Sequence, residues 1–213
     1  AMQRIVVSKD CTICFIIGPP GTGKTTAIAH AVADAIPTYG ADKIAICSLT
    51  KTAAQEAAGR VTLPEGHVGT LHSFAYHALG GRPVIAESKT RAWTEAYPHW
   101  PMSRIPGHAE DSPEDRNPRT LLGEELLNTL SVLRARCVPL TTARPMVRQF
   151  AAAWQDWKTQ CGYPDFTDLL EYALRDTVMA PHAPALLYVD EGQDLSRLEV
   201  DLALHHVDVL SAV

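Results

Sequence analysis

Gly18-Pro19-Pro20-Gly21-Thr22-Gly23-Lys24-Thr25 follows the apolar run Ile13-Cys14-Phe15-Ile16-Ile17 and precedes the helix-forming Thr26-Ala27-Ile28-Ala29-His30-Ala31-Val32. The order is strand, glycine loop, helix, and the spacing G-x-x-x-x-G-K-T is that of a P-loop. Its glycines allow backbone conformations and close approaches that a Cβ would forbid. Pro19 and Pro20 stiffen the start of the loop. The backbone amides from Gly21 onward, through Thr22 and Gly23 to Thr26, point into one concavity at a helix N-terminus, where free N–H groups and the helix dipole favour a polyphosphate. Lys24 adds a point charge for the β- and γ-phosphates, and the Thr25 hydroxyl is placed to ligate Mg²⁺.

Near the other end of the chain, the apolar strand Ala185-Leu186-Leu187-Tyr188-Val189 runs into Asp190-Glu191-Gly192-Gln193-Asp194. In a chain with a P-loop, such an acidic cluster at a strand's carboxyl end has a clear use. Asp190 would hold the Mg²⁺ bound at Thr25, usually through water, while Glu191 would orient and deprotonate the attacking water. Gln193 is placed to hydrogen-bond the γ-phosphate or that water.

The 213 residues suit one domain, or one domain with an insertion, and 46% hydrophobic content supplies a core. No apolar run approaches the ~20 residues of a membrane span. The amino terminus lacks a signal-peptide pattern, so a cytoplasmic location and no membrane partner are expected. Five scattered cysteines in such a setting argue against disulfides; Cys11-x-x-Cys14 reads as buried apolar residues rather than a redox or zinc pair. A net charge of −5 excludes coating of nucleic acid through bulk charge alone. The stretch from Arg82 to Arg148 nevertheless carries ten Lys/Arg against eight Asp/Glu, which fits a solvated helical surface or a nucleic-acid face.

Taken in order, Gln3 sits on a short amphipathic segment ahead of the first strand. Pro37 and Gly40 mark the turn after the first helix, and Lys43-Ile44-Ala45-Ile46-Cys47-Ser48-Leu49 reads as a second buried strand. Thr50-Lys51-Thr52 then opens an alanine-rich helix, at the strand end where an α/β sheet presents ligands; the polar run would hold a phosphate or cap the helix. His67-Val68-Gly69-Thr70 forms a short strand, followed by a helix carrying His72 at the same edge. Seven prolines between Pro83 and Pro139 mark a change of character that looks inserted. Within it, Leu121, Leu122, Leu126, Leu127, Leu130 and Leu133 make a helical apolar stripe, and Trp93 and Trp100 would stack on bases or pack in a core. Phe150, Trp154 and Trp157 follow at helical core spacing. Asp165 and Asp168 read as a catalytic carboxylate pair or, first, as a helix start.

Together these segments resemble the first RecA-like domain of superfamily 1 DNA helicases of the UvrD/Rep type. Gly18 to Thr25 looks like motif I, Leu49 to Glu56 like motif Ia, Val68 to Phe74 like motif Ib, and Tyr188 to Asp194 like motif II. Asp165-Phe166-Thr167-Asp168-Leu169-Leu170 is similar to that family's Asp-Phe-x-Asp-Leu-Leu helix, and Gln3 matches its adenine-reading glutamine. The resemblance implies a parallel α/β P-loop NTPase sheet flanked by helices at 1–85 and 144–213, with a mainly helical 1B-like insert at 86–143. It implies ATP and Mg²⁺ as ligands and single-stranded DNA as partner, with 3′-to-5′ translocation. Thr50, Lys51, Thr70 and His72 become candidates for the DNA path. Val213 falls before the family's motif III, so hydrolysis by these residues alone is expected to be poor without the arginines of a second RecA-like domain. A different expectation is a half-helicase that binds DNA or a partner without moving, with ATP as a conformational ligand.

Overall fold

Short apolar runs alternate with helix-forming segments in the first eighty residues, and the structure joins four strands from them with a fifth, Leu186–Asp190, in one sheet with helices on its faces. The computed structural model describes residues 2–6, 12–16, 23–49, 51–80, 85–103, 121–176 and 182–208. In chain order the described elements are β1 (Met2–Val6), β2 (Thr12–Ile16), α1 (Lys24–Tyr39), β3 (Ile44–Ser48), α2 (Lys51–Ala58), β4 (Val68–Thr70) and α3 (Leu71–Ala78). They continue with α4 (Thr90–Ala96), α5 (Leu122–Ala135), α6 (Pro145–Cys161), α7 (Phe166–Asp176), β5 (Leu186–Asp190) and α8 (Arg197–Asp208). Cα proximity divides the chain into two units, Ala1–Gly81 with Leu170–Val213, and Arg82–Leu169.

The first unit holds the sheet, in the order β1-β2-β5-β3-β4. β2, β5, β3 and β4 are mutually parallel. The parallel sheet expected from the sequence is present and carries an antiparallel edge: the segment around Gln3, expected to precede the first strand, is itself a strand, pairing β2 with Gln3 opposite Phe15. All five residues of β3 and of β5 are buried, as strands covered on both faces must be. Side chains alternate, and the two faces sort cleanly. Ile44, Ile46, Leu186 and Tyr188 pack with Ile28 and Val32 of α1 and Ala57 of α2. The Tyr188 hydroxyl donates to the Ala31 carbonyl at 3.0 Å, fixing β5 to α1. On the other face the Cys47 thiol lies against the Leu71 amide and the charge of Glu199; burial first, then Glu199, push it well above the usual thiol range. It is an inert packing group.

Pro37 does not end α1, as the sequence suggests it would. It falls in the last turn, where losing one backbone donor is tolerable, and Gly40, at φ 84°, closes the helix with its amide on Ile36 O at 2.9 Å.

The second unit is helical among its described residues. Its core joins Trp93, Met102, Leu126, Leu127, Leu130, Phe150, Trp154 and Trp157. Trp93 is fully buried, stacked on Tyr97 at 4.2 Å between ring centroids and edge-on to Trp154 at 4.9 Å. A base cannot reach it, so of the two sequence readings the core one holds for Trp93. Trp100 packs against the same cluster and accepts the Trp93 indole N–H on its carbonyl at 2.8 Å. Phe150, Trp154 and Trp157 of α6 complete this core, within the unit that runs from Arg82 to Leu169.

Asp165 and Asp168 bracket the start of α7. Asp168 N–H donates to Asp165 Oδ1 at 2.7 Å and Asp165 N–H to Asp168 Oδ2 at 2.8 Å, a reciprocal cap. Both carboxylates are buried and also face cations: Arg134 reaches Asp165 at 2.8 Å and Asp168 at 2.6 Å, and Lys158 pairs with both. The Trp154 indole adds a 2.9 Å donor to Asp165. Burial alone would raise the Asp165 carboxyl; Arg134 and Lys158 outweigh it and hold it below its ordinary value.

Candidate functional site

α1 starts from Gly23, whose left-handed backbone (φ 77°, ψ 23°) would be strained with any side chain. Gly23 has no side chain with which to cap the first amides of the helix. Lys24 and Thr25 are the first two residues of that helix and are half-buried.

β5 delivers the acidic cluster to the same place. Ile16, the last residue of β2, pairs with Asp190, the last of β5, so the strand leading into the P-loop and the strand leading into the acids end side by side. The chain then breaks direction at Glu191, which takes φ 53°. For a non-glycine residue this costs on the order of 1–3 kcal/mol and recurs at functional sites. A short 3₁₀ turn, Gly192–Asp194, follows and is closed by Asp194 N–H on Glu191 O at 2.9 Å.

The consequence is an ion pair across the two motifs: Lys24 Nζ lies 3.0 Å from Glu191 Oε1. Gln193 Nε2 donates to the other oxygen, Glu191 Oε2, at 2.5 Å. Burial would raise the Glu191 carboxyl, but the Gln193 amide and the Lys24 ammonium outweigh it and leave it below its ordinary value. Asp190 moves the opposite way. Its burial, reinforced by the charge of Glu191, raises it, although the Glu191 N–H donates to its Oδ1 at 3.0 Å. Two adjacent carboxyls are thus held in different electrostatic states, one charged beside a lysine and one set deeper at the strand end.

The donor set suits a phosphate with a hard divalent cation: an ammonium for the anion, and a hydroxyl (Thr25) and a carboxylate (Asp190) as oxygen ligands. Among the described residues there is no cluster of three or more His, Cys, Asp or Glu that would hold a metal by itself.

Of the other residues singled out by sequence, Gln3 has its backbone on β1, while its amide group, together with Gly18, Pro19, Pro20, Gly21, Thr22 and Thr50, lies outside the described residues. Lys51 begins α2, and its side chain is likewise outside the description. Thr26 is exposed in the first turn of α1 and accepts from Arg60 at 3.1 Å; Arg60 also pairs with Glu56 at 2.6 Å. Arg60 escaped the sequence reading, although its i, i+4 spacing from Glu56 was a signal. Thr70 caps α3, accepting from Ser73 N–H at 3.1 Å while Ser73 Oγ accepts from Thr70 N–H at 3.0 Å. His72 follows it, with Nδ1 4.0 Å from Glu199 Oε1.

A parallel sheet with α1 starting at a glycine-lysine-threonine corner, opposite an aspartate-glutamate corner on the neighbouring strand, defines a P-loop NTPase-like domain. The profile of the AAA domain family matches residues 3–209, and the chain belongs to that family. It is a helicase-like P-loop family found in UvrD/Rep-type proteins. Comparison with curated proteins finds no match.

Proposed function

We propose that this chain binds ATP with Mg²⁺ at the Lys24–Glu191 corner and hydrolyses it, as the nucleotide-binding first RecA-like domain of a superfamily 1, UvrD/Rep-type single-stranded-DNA translocase. The observation that carries the reading is the 3.0 Å pair between a P-loop lysine and the glutamate after the β5 aspartate, which brings two motifs 167 positions apart in sequence into one site.

On this reading Lys24 exchanges its carboxylate partner for phosphate oxygens, and Glu191, freed from the ammonium, takes the proton of the attacking water on a carboxylate oxygen. Gln193, already hydrogen-bonded to Glu191, orients that oxygen or the water. Thr25 and Asp190 would hold the cation, which when bound would supply positive charge beside the phosphates. Gln3 would read the adenine edge, and Gly18 to Thr26 would wrap the phosphates. Thr50, Lys51, Thr70 and His72 would line the DNA path, with the second unit as the counterpart of the helical 1B insert. A second RecA-like domain would add arginines, worth ~10³ or more in rate.

The test is nucleotide binding and turnover by three chains. Lys24→Ala loses ATP affinity by about a hundredfold, the scale of a charge-assisted contact. Glu191→Gln keeps binding and loses about 10²–10⁴ of the hydrolysis rate, the usual contribution of a general base. The unaltered chain joined to its second domain shows turnover that single-stranded DNA raises; DNA binding without such stimulation points instead to the non-translocating half-helicase. Wild-type ATP affinity in Lys24→Ala contradicts the site.

A further inference from the structure

Ser48 ends β3 with its hydroxyl buried and, among the described residues, without a hydrogen-bond partner. Buried hydroxyls are rarely left so, and an orphan of this kind calls for an explanation. Its position supplies one. Cys47 pairs with Val189, so one step further along the parallel register Ser48 comes level with Asp190. Strand alternation puts both on the face that carries Ile44, Ile46, Leu186 and Tyr188, the face covered by α1 and α2. α1 is the helix that begins with Lys24 and Thr25. The Ser48 hydroxyl is therefore a neighbour of the Asp190 carboxyl on the site side of the sheet, with no bond between them.

We propose that Ser48 is a positioning residue for the divalent cation: its O–H donates to a water in the cation's shell, or to the Asp190 carboxylate that holds it, once nucleotide is bound. The inference rests on the ATP–Mg²⁺ reading of the site and goes beyond it by adding an outer-shell residue on a strand that carries none of the motif I or motif II residues. Because Ser48 lies two residues before Thr50 and three before the start of α2, it also ties the cation to the segment proposed for DNA. The orphan hydroxyl is a cost to the free chain that ligation removes.

The experiment titrates Mn²⁺ into the 213-residue chain with saturating ADP, following free Mn²⁺ by electron paramagnetic resonance. In parallel, ADP affinity is measured in EDTA and the melting temperature without ligand. Ser48→Ala is expected to weaken Mn²⁺ binding about tenfold, the usual scale for an outer-shell partner. It should leave ADP affinity in EDTA unchanged and the ligand-free melting temperature equal or higher, which a merely structural role would not give. Ser48→Thr, which keeps the hydroxyl, restores Mn²⁺ affinity. Unchanged Mn²⁺ affinity in Ser48→Ala, with ADP lost in Lys24→Ala, overturns the role of Ser48 and leaves the nucleotide site standing. Wild-type ADP affinity in Lys24→Ala overturns the site and Ser48 with it.

Discussion

Each unit of this molecule contains a lysine paired with carboxylates, and the two pairs are built for opposite ends. In the second unit Lys158 is buried, as are Asp165 and Asp168 (side chains 2%, 3% and 4% exposed), and Arg134, the Trp154 indole and two backbone amides occupy the carboxylate oxygens as well. In the first unit Lys24 meets Glu191 at a corner where the glutamate is 31% exposed. Its carboxylate partner stands on a turn beyond the strand, on a residue with a left-handed backbone, with the Gln193 amide behind it. A closed network fixes a helix start and admits nothing else. An open pair can be exchanged, and exchange is what a phosphate site requires.

The largest effect that would break this contrast comes from Lys158→Met. Removing Lys158 leaves Asp165 and Asp168 to share the Arg134 cation, with one buried negative charge uncompensated, and such losses run to about 3–5 kcal/mol. All four tryptophans, at 93, 100, 154 and 157, lie in the second unit, so their fluorescence during denaturant unfolding reads that unit directly. A loss under about 1 kcal/mol would mean that the network is incidental.

How far this was legible depends on range. The buried strands β3 and β5, the P-loop, the acidic end of β5 and the aromatic stripe of α6 are local patterns, and sequence alone located them. Their assembly is not local. β2 and β5 are neighbours although about 170 residues apart, and it is the chemistry of an acidic strand end in a chain with a P-loop, not any local pattern, that suggests a shared site for Thr25 and Asp190. Asp165 and Asp168 were read as a cap or a catalytic pair; the cap was visible at three-residue spacing, whereas Arg134, 31 positions away, was not. β1 is too short and edge-like for its pattern to declare a strand, and Ser48 looked like one more residue of a buried run.

A second, smaller perturbation sharpens the picture of the closed network at its margin. Glu87 sits beside it, with Oε1 accepting from Phe166 N–H at 2.9 Å and Oε2 buried without a partner. Burial, then the charge of Asp165, push its carboxyl from 4.5 up to about 7, with Lys158 pulling weakly the other way. The folded state therefore holds the proton more tightly than the unfolded chain. This contribution is fully present below pH 4.5 and is lost as pH rises through about 7. At 1.36 kcal/mol per pH unit, a shift from 4.5 to about 7 amounts to about 3 kcal/mol at most. Glu87→Gln keeps the acceptor for Phe166 and removes the charge, so it should erase the decline between pH 4.5 and about 7 and leave the variant more stable than the parent at pH 8. Asp165, held low by its cations, contributes in the other sense, being lost only as pH falls. Parallel stability curves for parent and variant across this range would show that Glu87 ionises freely.

The smallest expected change in stability is the most informative, because it repeats the first substitution in the other unit. Lys24→Met removes the cation from Glu191, but that carboxylate keeps its Gln193 partner and its access to water, so no charge is stranded. Partly exposed pairs of this kind contribute about 0–1 kcal/mol. Since the tryptophans do not report on the first unit, hydrogen exchange of the α1 and β5 amides is the measurement, and protection should stay within that margin of the parent. Nucleotide affinity, in contrast, should fall by about a hundredfold. The same lysine-to-methionine change would then separate the two units by its kind of damage: lost folding in one, lost binding with folding kept in the other. If Lys24→Met destabilised α1 and β5 as severely as Lys158→Met destabilises the tryptophan core, the pair at the sheet edge would be a structural clamp, and the exchange of Glu191 for phosphate on which hydrolysis depends would have no basis.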